Sequence, residues 1–220
     1  YGGRVAAYYP YFSDTPLARV YFIIAFTPGE HHAPNFRTLE AEIAQAARTW
    51  EDRFSDTVRA SGRTPDEVAA VLARYGQAFS AGYRETYDAA EALADLAVIE
   101  AGDGDAVQVR AYRGPDDNKT QFRFKLYRPG GPAPLADVLL ILEHMGLNAM
   151  VETGFPVTPQ GGPPVWVHDF DLLDENGGHL VFDDVKQAFE EAFIAVWTGR
   201  TENDGFNRLV LELSISWREV

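Results

Sequence analysis

The sequence predicts an α+β protein built from ferredoxin-like sandwiches, in which helices cover an antiparallel sheet. Two observations lead to this class. Before residue 106, an apolar hairpin is followed by a long helical stretch. From residue 106 onward, the pattern reads strand, strand, helix, strand, strand, helix. That order fits either a βαββαβ sandwich without its last strand or a βαββα unit with an added edge strand.

Composition restricts the kind of protein. With 220 residues, 46% of them hydrophobic, the chain can bury one sizeable core or two small ones. No apolar run is long enough to cross a bilayer. The net charge of −14 makes nucleic acid and anionic lipid poor partners. The chain has no cysteine, which excludes thiol chemistry and fits a reducing cytoplasm. We therefore expect a cytoplasmic protein without nucleic-acid or membrane partners.

The first quarter of the chain predicts a hairpin followed by a helix. Residues 4–26 contain two apolar extended segments that flank the turn residues 13–16. A helix beginning at Thr38 then carries apolar residues at helical spacing as far as Val58. Because a two-stranded hairpin with one helix makes only a small core, this part predicts an incomplete domain.

A helical stretch comes next, over residues 64–101. Thr64 and Glu67 predict a capping box, and Pro65 stands at the first helical position. The glycine and aspartate residues at 102–105 are the best domain boundary in the sequence.

The second half of the chain supplies the elements of a sandwich. The strand at 121–127 has Phe122, Phe124 and Leu126 on one face. Gly146 takes the left-handed position that ends a helix. The predicted strands are 107–112, 121–127, 148–157 and 165–173, and the predicted helices are 134–145 and 183–198. The periodicity of residues 204–217 fits a strand and a helix equally well.

Residues 126–148 resemble an ACT domain. Leu126-Tyr127-Arg128-Pro129-Gly130 is followed by an apolar helix and by Met145-Gly146-Leu147-Asn148, in the order of that family. The resemblance implies that Gly130, Gly131 and Asn148 bind a small amino-acid effector, since glycine admits a ligand close to the backbone and a helix start offers free amides. Residues 131–134 make the loop longer than the compact ACT pattern. The alternative is that these glycines form a turn and that Asn148 only follows the helix.

A wider resemblance covers nearly the whole chain. Residues 16–24, 165–170, 189–193 and 204–210 are similar to strings in the large NAD-specific glutamate dehydrogenases of bacteria. The resemblance implies four parts and a helix over 204–213. The parts are the C-terminal half of an ACT-like domain (1–60), a helical insert (61–104), an ACT-like domain (105–203) and a helical lead-in to a catalytic region (204–220). The absent initiator Met and the capping box Ser216 to Glu219 at the end predict a fragment.

The resemblance implies a non-catalytic regulatory or scaffolding role. The parent enzyme would convert L-glutamate, water and NAD+ to 2-oxoglutarate, ammonium and NADH. This chain lacks the G-x-G-x-x-G cradle for a dinucleotide, so we predict no catalytic residue, metal or cofactor in it, and NAD in the parent. The implied partners are a second copy bound through the sheets, the catalytic domain of the same chain and an amino-acid effector.

Two alternatives remain. One is a purely architectural oligomerisation module without a ligand. The other is a small metal-dependent hydrolase that uses His31, His32 and His168. Against the hydrolase, adjacent loop histidines point apart. His168 and Asp169 are neighbours on a strand and face opposite sides, so Asp169 cannot orient His168 as a general base.

Overall fold

The computed structural model describes residues 3–12, 18–27, 29, 35–114, 117, 121–174 and 182–220. The chain divides into two compact units, Tyr1–Arg48 and Thr49–Val220.

The first unit contains a hairpin and a helix. Its elements are β1 (Arg4–Phe12), β2 (Ala18–Ala25) and α1 (Phe36–Ala46). The two strands pair antiparallel, which confirms the predicted hairpin. Large apolar side chains on both strands are exposed, including Tyr9 and Phe22 at 59% and 60%. Within this unit the hairpin therefore has little apolar cover.

The predicted single helix from Thr38 to Val58 was wrong. Asn35 caps α1 instead, because its side chain accepts the amides of Arg37 and Thr38. The chain leaves the helix at Ala47 and starts α2 (Trp50–Ala60) in the second unit. The new start is a capping box between Thr49 and Asp52. A capping box satisfies the amides of a new helix even inside a run that keeps helical spacing, so periodicity did not show the break.

The predicted helical stretch over 64–101 is confirmed as three helices. They are α3 (Pro65–Tyr75), α4 (Ala81–Thr86) and α5 (Ala89–Ala101), and together with α2 they form what we call the helical segment. The capping box of Thr64 and Glu67 is present, with Pro65 at the helix start. Phe54 of α2 packs with Phe79 and Tyr83 in an aromatic core.

The second unit contains a four-stranded antiparallel sheet. Its strands are β3 (Gln108–Tyr112), β4 (Gln121–Pro129), β5 (Leu147–Val157) and β6 (Val165–Asp174), in the order β3-β4-β6-β5. Helix α6 (Leu135–His144) joins β4 to β5, and α7 (Phe182–Trp197) follows β6. Strand β3 lies beside β4, where the last strand of βαββαβ would lie. The structure thus selects the βαββα unit with an added edge strand.

Helices cover both faces of this sheet. On one face, Phe122, Phe124 and Leu126 pack with buried side chains of α6 and α7, as the alternation in β4 predicted. On the other face, Tyr127 and Val167 pack in the core of the helical segment. The predicted α+β class is confirmed. Helices α6 and α7 lie on one face of the sheet, and the helical segment covers the opposite face.

The ends of two elements agree with the sequence. Gly146 has φ +77°, the left-handed conformation predicted for the end of α6. The ambiguous tail forms a 3-10 turn, Gly205–Arg208, followed by α8 (Leu209–Glu212). The helix implied by the resemblance is therefore confirmed. Across the described residues, no helix is both long enough and apolar enough to cross a membrane.

Candidate functional site

The loop of residues 130–134, which we call the β4–α6 loop, carries the two glycines predicted to bind a ligand. Gly130 has φ +89°, a conformation that favours glycine, and its amide donates to the carbonyl of Pro164 at 2.8 Å. The guanidinium of Arg128 donates to the carbonyls of Gly131 and Pro132 at 2.9 and 2.6 Å. These bonds fix the loop backbone against the end of the sheet.

His168 of β6 provides a further anchor for this loop. The amide of Ala133 donates to Nε2 of His168 at 3.0 Å, and Nδ1 lies 2.7 Å from a carboxylate oxygen of Glu152. The ring is 4% exposed and stacks between Trp166 and Phe170. Because both ring nitrogens are occupied by protein groups, His168 acts on the loop and is not free to hold a metal.

A glycine makes room for this histidine. Gly154 lies directly across from His168 in the β5–β6 ladder. A Cβ atom at Gly154 would come within 3.1 Å of Nδ1 of His168 and within 3.1 Å of the Glu152 carboxylate. The glycine therefore allows the imidazole and the carboxylate to meet above the sheet.

The third predicted ligand residue, Asn148, lies far from the loop. It pairs with Leu173 of β6, whereas Pro129, just before Gly130, pairs with Val165. Eight residues along a strand span about 26 Å. A single chain therefore does not bring Asn148 and Gly130 together. Ligand binding at Gly130, Gly131 and Asn148 stays a prediction.

His168 and Asp169 face opposite sides of the sheet, as predicted. Asp169 accepts hydrogen bonds from the hydroxyls of Tyr87 and Tyr112, both at 2.6 Å, on the face of the helical segment. His31 and His32, the other proposed metal ligands, lie outside the described residues. Within the part of the chain that is described, no group of three or more histidine or acidic side chains could hold a metal ion.

A cluster of buried charges joins the helical segment to the sheet. We define the buried charge cluster as Glu91 and Asp95 of α5, Arg110 of β3 and Lys125 of β4. The ammonium of Lys125 lies 2.6 Å from the Glu91 carboxylate and 2.7 Å from that of Asp95. Arg110 pairs with both carboxylates, at 2.9 Å for Asp95. Asp95 and Lys125 are fully buried.

Tyrosines complete the hydrogen bonding of this cluster. Tyr83 and Tyr127 donate their hydroxyls to Asp95 at 2.5 and 2.7 Å. Burial, followed by the Asp95 charge, raises the pKa of both tyrosines, so they remain donors. The Lys125 ammonium also lies 3.9 Å from the ring centroid of Tyr87. Four donors on one buried carboxylate satisfy its hydrogen-bonding capacity.

Asp169 lies next to the cluster and is less well satisfied. It is the cross-strand neighbour of Lys125. Its Oδ1 atom is buried and has no hydrogen-bond partner in the described chain. Burial raises the pKa of Asp169, although Lys125, Tyr112 and Tyr87 act in the opposite direction.

Sequence reasoning missed the buried charge cluster. A usable signal was present in α5, where Glu91 and Asp95 are four residues apart and share one face of an alanine-rich helix. Lys125 stood on the polar side of β4, a pattern that equally fits a solvent-facing strand.

A cavity of about 580 Å³ opens at the end of the sheet nearest the β4–α6 loop. Arg74 and Tyr75 of α3, Glu100 of α5 and Val165 of β6 are among its lining residues. Pro163 also lines it, one residue before the carbonyl that holds Gly130. Asp105 lines the same cavity, so one guanidinium and two carboxylates face a space whose walls are both polar and apolar.

Three models of glutamate dehydrogenase domains match successive segments of this chain. The ACT2 domain matches residues 1–51, helical motif 2 matches residues 63–101, and the ACT3 domain matches residues 106–185. The helical motif covers α3 to α5, and the ACT3 domain begins with β3.

Curated relatives agree with these models. NAD-specific glutamate dehydrogenases of Halomonas elongata and Pseudomonas aeruginosa are each 32% identical, over 96% and 97% of this chain. The enzyme of that name from Mycobacterium tuberculosis is 28% identical over the whole chain. The chain spans only 13–14% of the length of these relatives. It therefore belongs to the ACT-like region of the large NAD-specific glutamate dehydrogenases.

Proposed function

We propose that this chain is a non-catalytic regulatory and scaffolding module of a cytoplasmic, NAD-dependent glutamate dehydrogenase. The parent enzyme would convert L-glutamate, water and NAD+ to 2-oxoglutarate, ammonium and NADH, with NAD and the catalytic residues in another domain of the same polypeptide. The names of the relatives support this reaction. The chain alone should not reduce NAD+ with glutamate in a spectrophotometric assay, and turnover by the purified chain would contradict the proposal.

The observation that carries the scaffolding role is the buried charge cluster. It fixes α5 on the face of the ACT-like sheet opposite α6 and α7. Because buried charges are costly to leave unpaired, movement of the helical segment away from the sheet is strongly disfavoured. The helical segment and the sheet then move as one rigid unit, as expected of a scaffold that holds other domains in place.

The domain division is part of this proposal. It takes residues 1–60 as the C-terminal half of one ACT-like domain, 61–104 as a helical insert, 105–203 as a second ACT-like domain and 204–220 as a helical lead-in to the catalytic region. Phe54 and Val58 of α2 pack in the same core as residues of α3 and α5. This packing favours moving the first boundary to residue 48, so that α2 joins the insert.

Self-association of the module should use one particular sheet edge. At the β3 edge, the Glu190 carboxylate of α7 accepts the amide of Ala111 at 2.7 Å, so this donor is already used. At the β5 edge, the backbone contacts of the described residues are with Ala78 and Phe79, near the end of the strand at Val157. The start of β5 leaves edge groups that a second copy can pair with.

A charged substitution tests this edge. Val151 is 54% exposed near the start of β5. We expect Val151→Lys to weaken self-association about tenfold or more in sedimentation experiments, since lysine on an edge strand opposes pairing. Phe206→Lys is the matched control, because Phe206 is 68% exposed in the 3-10 turn. Equal effects of both variants, or a wild-type chain that stays monomeric, would contradict pairing through β5.

The regulatory part of the proposal is an amino-acid effector at Gly130 and Gly131. Calorimetry of the chain with a panel of amino acids tests it against the purely architectural alternative. We expect binding that Gly131→Ala weakens. The added methyl would meet only Arg128 at 3.6 Å, so the loop should keep its fold. Asn148→Ala serves as the second arm, because Asn148 contributes only if it reaches the ligand from another copy.

One observation favours the architectural alternative. Backbone groups of the β4–α6 loop already form hydrogen bonds within the chain, so fewer of them are available to a ligand. Flat calorimetric traces at millimolar amino acid, together with intact self-association, would favour that alternative. Arg74→Ala provides a third arm, since loss of binding in this variant alone would move the effector to the cavity beside the loop.

A further inference from the structure

The cavity of about 580 Å³ contains polar groups that the chain itself does not use. Its volume lies within the range of about 300–1,000 Å³ that is usual for small-molecule sites. Arg74 and Tyr75, at the end of α3, line one part of it, and Asp105, in the loop that leads into β3, lines another. Residues of β4 and β6 line it as well. The cavity therefore lies where the helical segment meets the ACT-like sheet.

The hydroxyl of Tyr75 is the first of these groups. Tyr75 is 1% exposed, and its hydroxyl has no hydrogen-bond partner among the described residues. This oxygen is not one of the partnerless polar atoms of the described chain that solvent cannot reach, so it opens on the cavity that Tyr75 lines. Burial raises the pKa of Tyr75, although the charge of Arg74 acts in the opposite direction, so the phenol stays protonated. A buried donor thus faces open space.

Arg74 and Asp105 carry the second and third groups. The guanidinium of Arg74 lies 5.3 Å from the ring centroid of Tyr75. Neither Arg74 nor Asp105 forms a side-chain ion pair or hydrogen bond with another described residue. Glu100 also lines the cavity, but Arg63 already pairs with it at 3.2 Å. Among the described residues that line the cavity, one cation and one anion are therefore left without a counter-charge.

Apolar side chains supply much of the remaining wall. Ile99 of α5, Val165 of β6 and Pro163 of the loop between β5 and β6 all line the cavity. That loop is held against α3, because the amide of Gln160 donates to the carbonyl of Arg74 at 2.8 Å. The cavity thus combines a positive group, a negative group and an apolar surface.

We propose that this cavity binds a small zwitterion with an apolar side chain, of the class of L-leucine. The ligand carboxylate pairs with Arg74 and accepts the Tyr75 hydroxyl, and the ligand ammonium pairs with Asp105. A charged ligand side chain is disfavoured, since no further counter-charge is available and the remaining wall is apolar. The bound ligand joins α3 to the loop before β3. Regulation of the parent enzyme through this joint rests on the proposed function, whereas the binding does not.

Calorimetry of the 220-residue chain with three matched probes tests the charge pattern. L-leucine carries both charged groups, isocaproate lacks the ammonium and isoamylamine lacks the carboxylate. We expect saturable binding of L-leucine at millimolar concentrations. Each analogue should bind about tenfold more weakly or worse, because each loses one charge-assisted contact. L-glutamate should also bind more weakly, since its second carboxylate finds no cation. Absence of L-leucine binding, or equal binding of the three probes, would overturn the proposal.

Substitutions of the two charged residues have matched controls. Arg74→Ala and Asp105→Asn should each weaken L-leucine binding about tenfold or more. Arg59→Ala removes the same charge from α2, where the arginine side chain is 60% exposed, and Asp103→Asn alters the same loop outside the cavity. Both controls should bind L-leucine as wild type does. Equal losses in a variant and its control would show that the charge of the whole chain, and not the cavity, attracts the ligand.

Tyr75→Phe tests the hydroxyl separately. We expect L-leucine binding to weaken by about twofold to tenfold, because one hydrogen bond to the ligand is lost. The free variant should unfold at the same denaturant concentration as wild type, since this hydroxyl bonds no described residue. Tyr83→Phe is the contrast, because its hydroxyl donates to Asp95 and its loss should lower stability. Unchanged L-leucine affinity in Tyr75→Phe would contradict the role assigned to the hydroxyl.

Amide NMR keeps this site apart from the one proposed at Gly130 and Gly131. L-leucine should shift the amide signals of Gly102 and Gly104, which line the cavity, and leave that of Gly199 unchanged. Binding that survives Gly131→Ala but not Arg74→Ala supports the cavity and contradicts the loop site. Binding that Gly131→Ala alone weakens supports the loop site and contradicts the cavity.

Discussion

The two faces of the four-stranded sheet are covered by helices in different ways. Towards α6 and α7, the core is made mainly of apolar rings and chains, with Phe124 only 4.7 and 5.1 Å from the rings of Phe193 and Phe189. Towards the helical segment, the fully buried Lys125 and Asp95 form an ion pair, and tyrosine side chains surround this pair.

This difference separates two kinds of stability. Apolar packing is not directional and tolerates side chains of similar volume. A buried ion pair needs its partner at the right distance, and removing one partner leaves a charge without solvent or counter-charge. We therefore expect the apolar face to supply most of the stability of the sheet, and the charged face to determine where α5 sits on it.

The largest expected effect comes from removing one charge of the cluster. Asp95→Asn keeps the shape of the side chain but leaves Lys125 and Arg110 to share Glu91. We expect a loss of about 3–5 kcal/mol in the free energy of unfolding, measured with denaturant. The exposed acid Glu85 provides the control, since Glu85→Gln should change stability by less than about 0.5 kcal/mol. A small loss for Asp95→Asn would show that the charge does not hold α5.

A substitution that nearly conserves side-chain volume on the apolar face should lower the free energy of unfolding by a smaller amount. Leu142 of α6 is fully buried in the core with Phe124. We expect Leu142→Met to cost less than about 1.5 kcal/mol, because it nearly conserves volume. Leu142→Ala, which opens a cavity, should cost about 2–5 kcal/mol. If Leu142→Met destabilised the chain as much as Asp95→Asn, the contrast between the faces would fail.

The smallest effect concerns pH and Asp169. Its pKa is raised in the folded chain by burial, so the folded chain binds a proton more tightly than the unfolded one. This contribution to stability is present below about pH 4, the range of an unfolded aspartate, and is lost as the pH rises through the folded pKa.

Asp169→Asn removes this contribution and keeps an acceptor for Tyr87 and Tyr112. We expect the variant to gain stability relative to wild type as the pH rises above 4, by about 1 kcal/mol or less. Denaturant titrations at several pH values measure the difference. Asp171→Asn, on the same strand with a half-exposed side chain, controls for the loss of a carboxylate. A difference that shrinks with rising pH would reverse the sign of our argument.

Much of the fold followed from the sequence because its signals are local. The capping box at Thr64, the left-handed Gly146 and the alternation of Phe122, Phe124 and Leu126 each depend on residues only a few positions apart. The prediction of one continuous helix up to Val58 failed because two local signals disagreed. The apolar spacing continued across the break, whereas Thr49 and Asp52 started a new helix.

The candidate site was less accessible to sequence reasoning. The glycines of the β4–α6 loop were identified from a family resemblance, but their anchor on His168 lies 35 positions away from Ala133. Asn148 was grouped with Gly130 by order along the chain, and the register of β5 and β6 separates them. Neither the contact between Ala133 and His168 nor the separation of Asn148 from Gly130 produces a periodic pattern in the sequence.

The sequence by itself determined the order of elements from residue 106 to α7, the capping box at Thr64 and the apolar side of β4, because backbone hydrogen bonding and side-chain spacing act over a few residues. Only the tertiary structure decided that β3 lies beside β4 and that Lys125 meets Asp95 inside the protein, 30 positions apart. It also decided that Tyr87 reaches Asp169 across 82 positions. Such contacts depend on which surfaces are covered after the chain has packed, and burial turns a polar strand face into a buried ionic one.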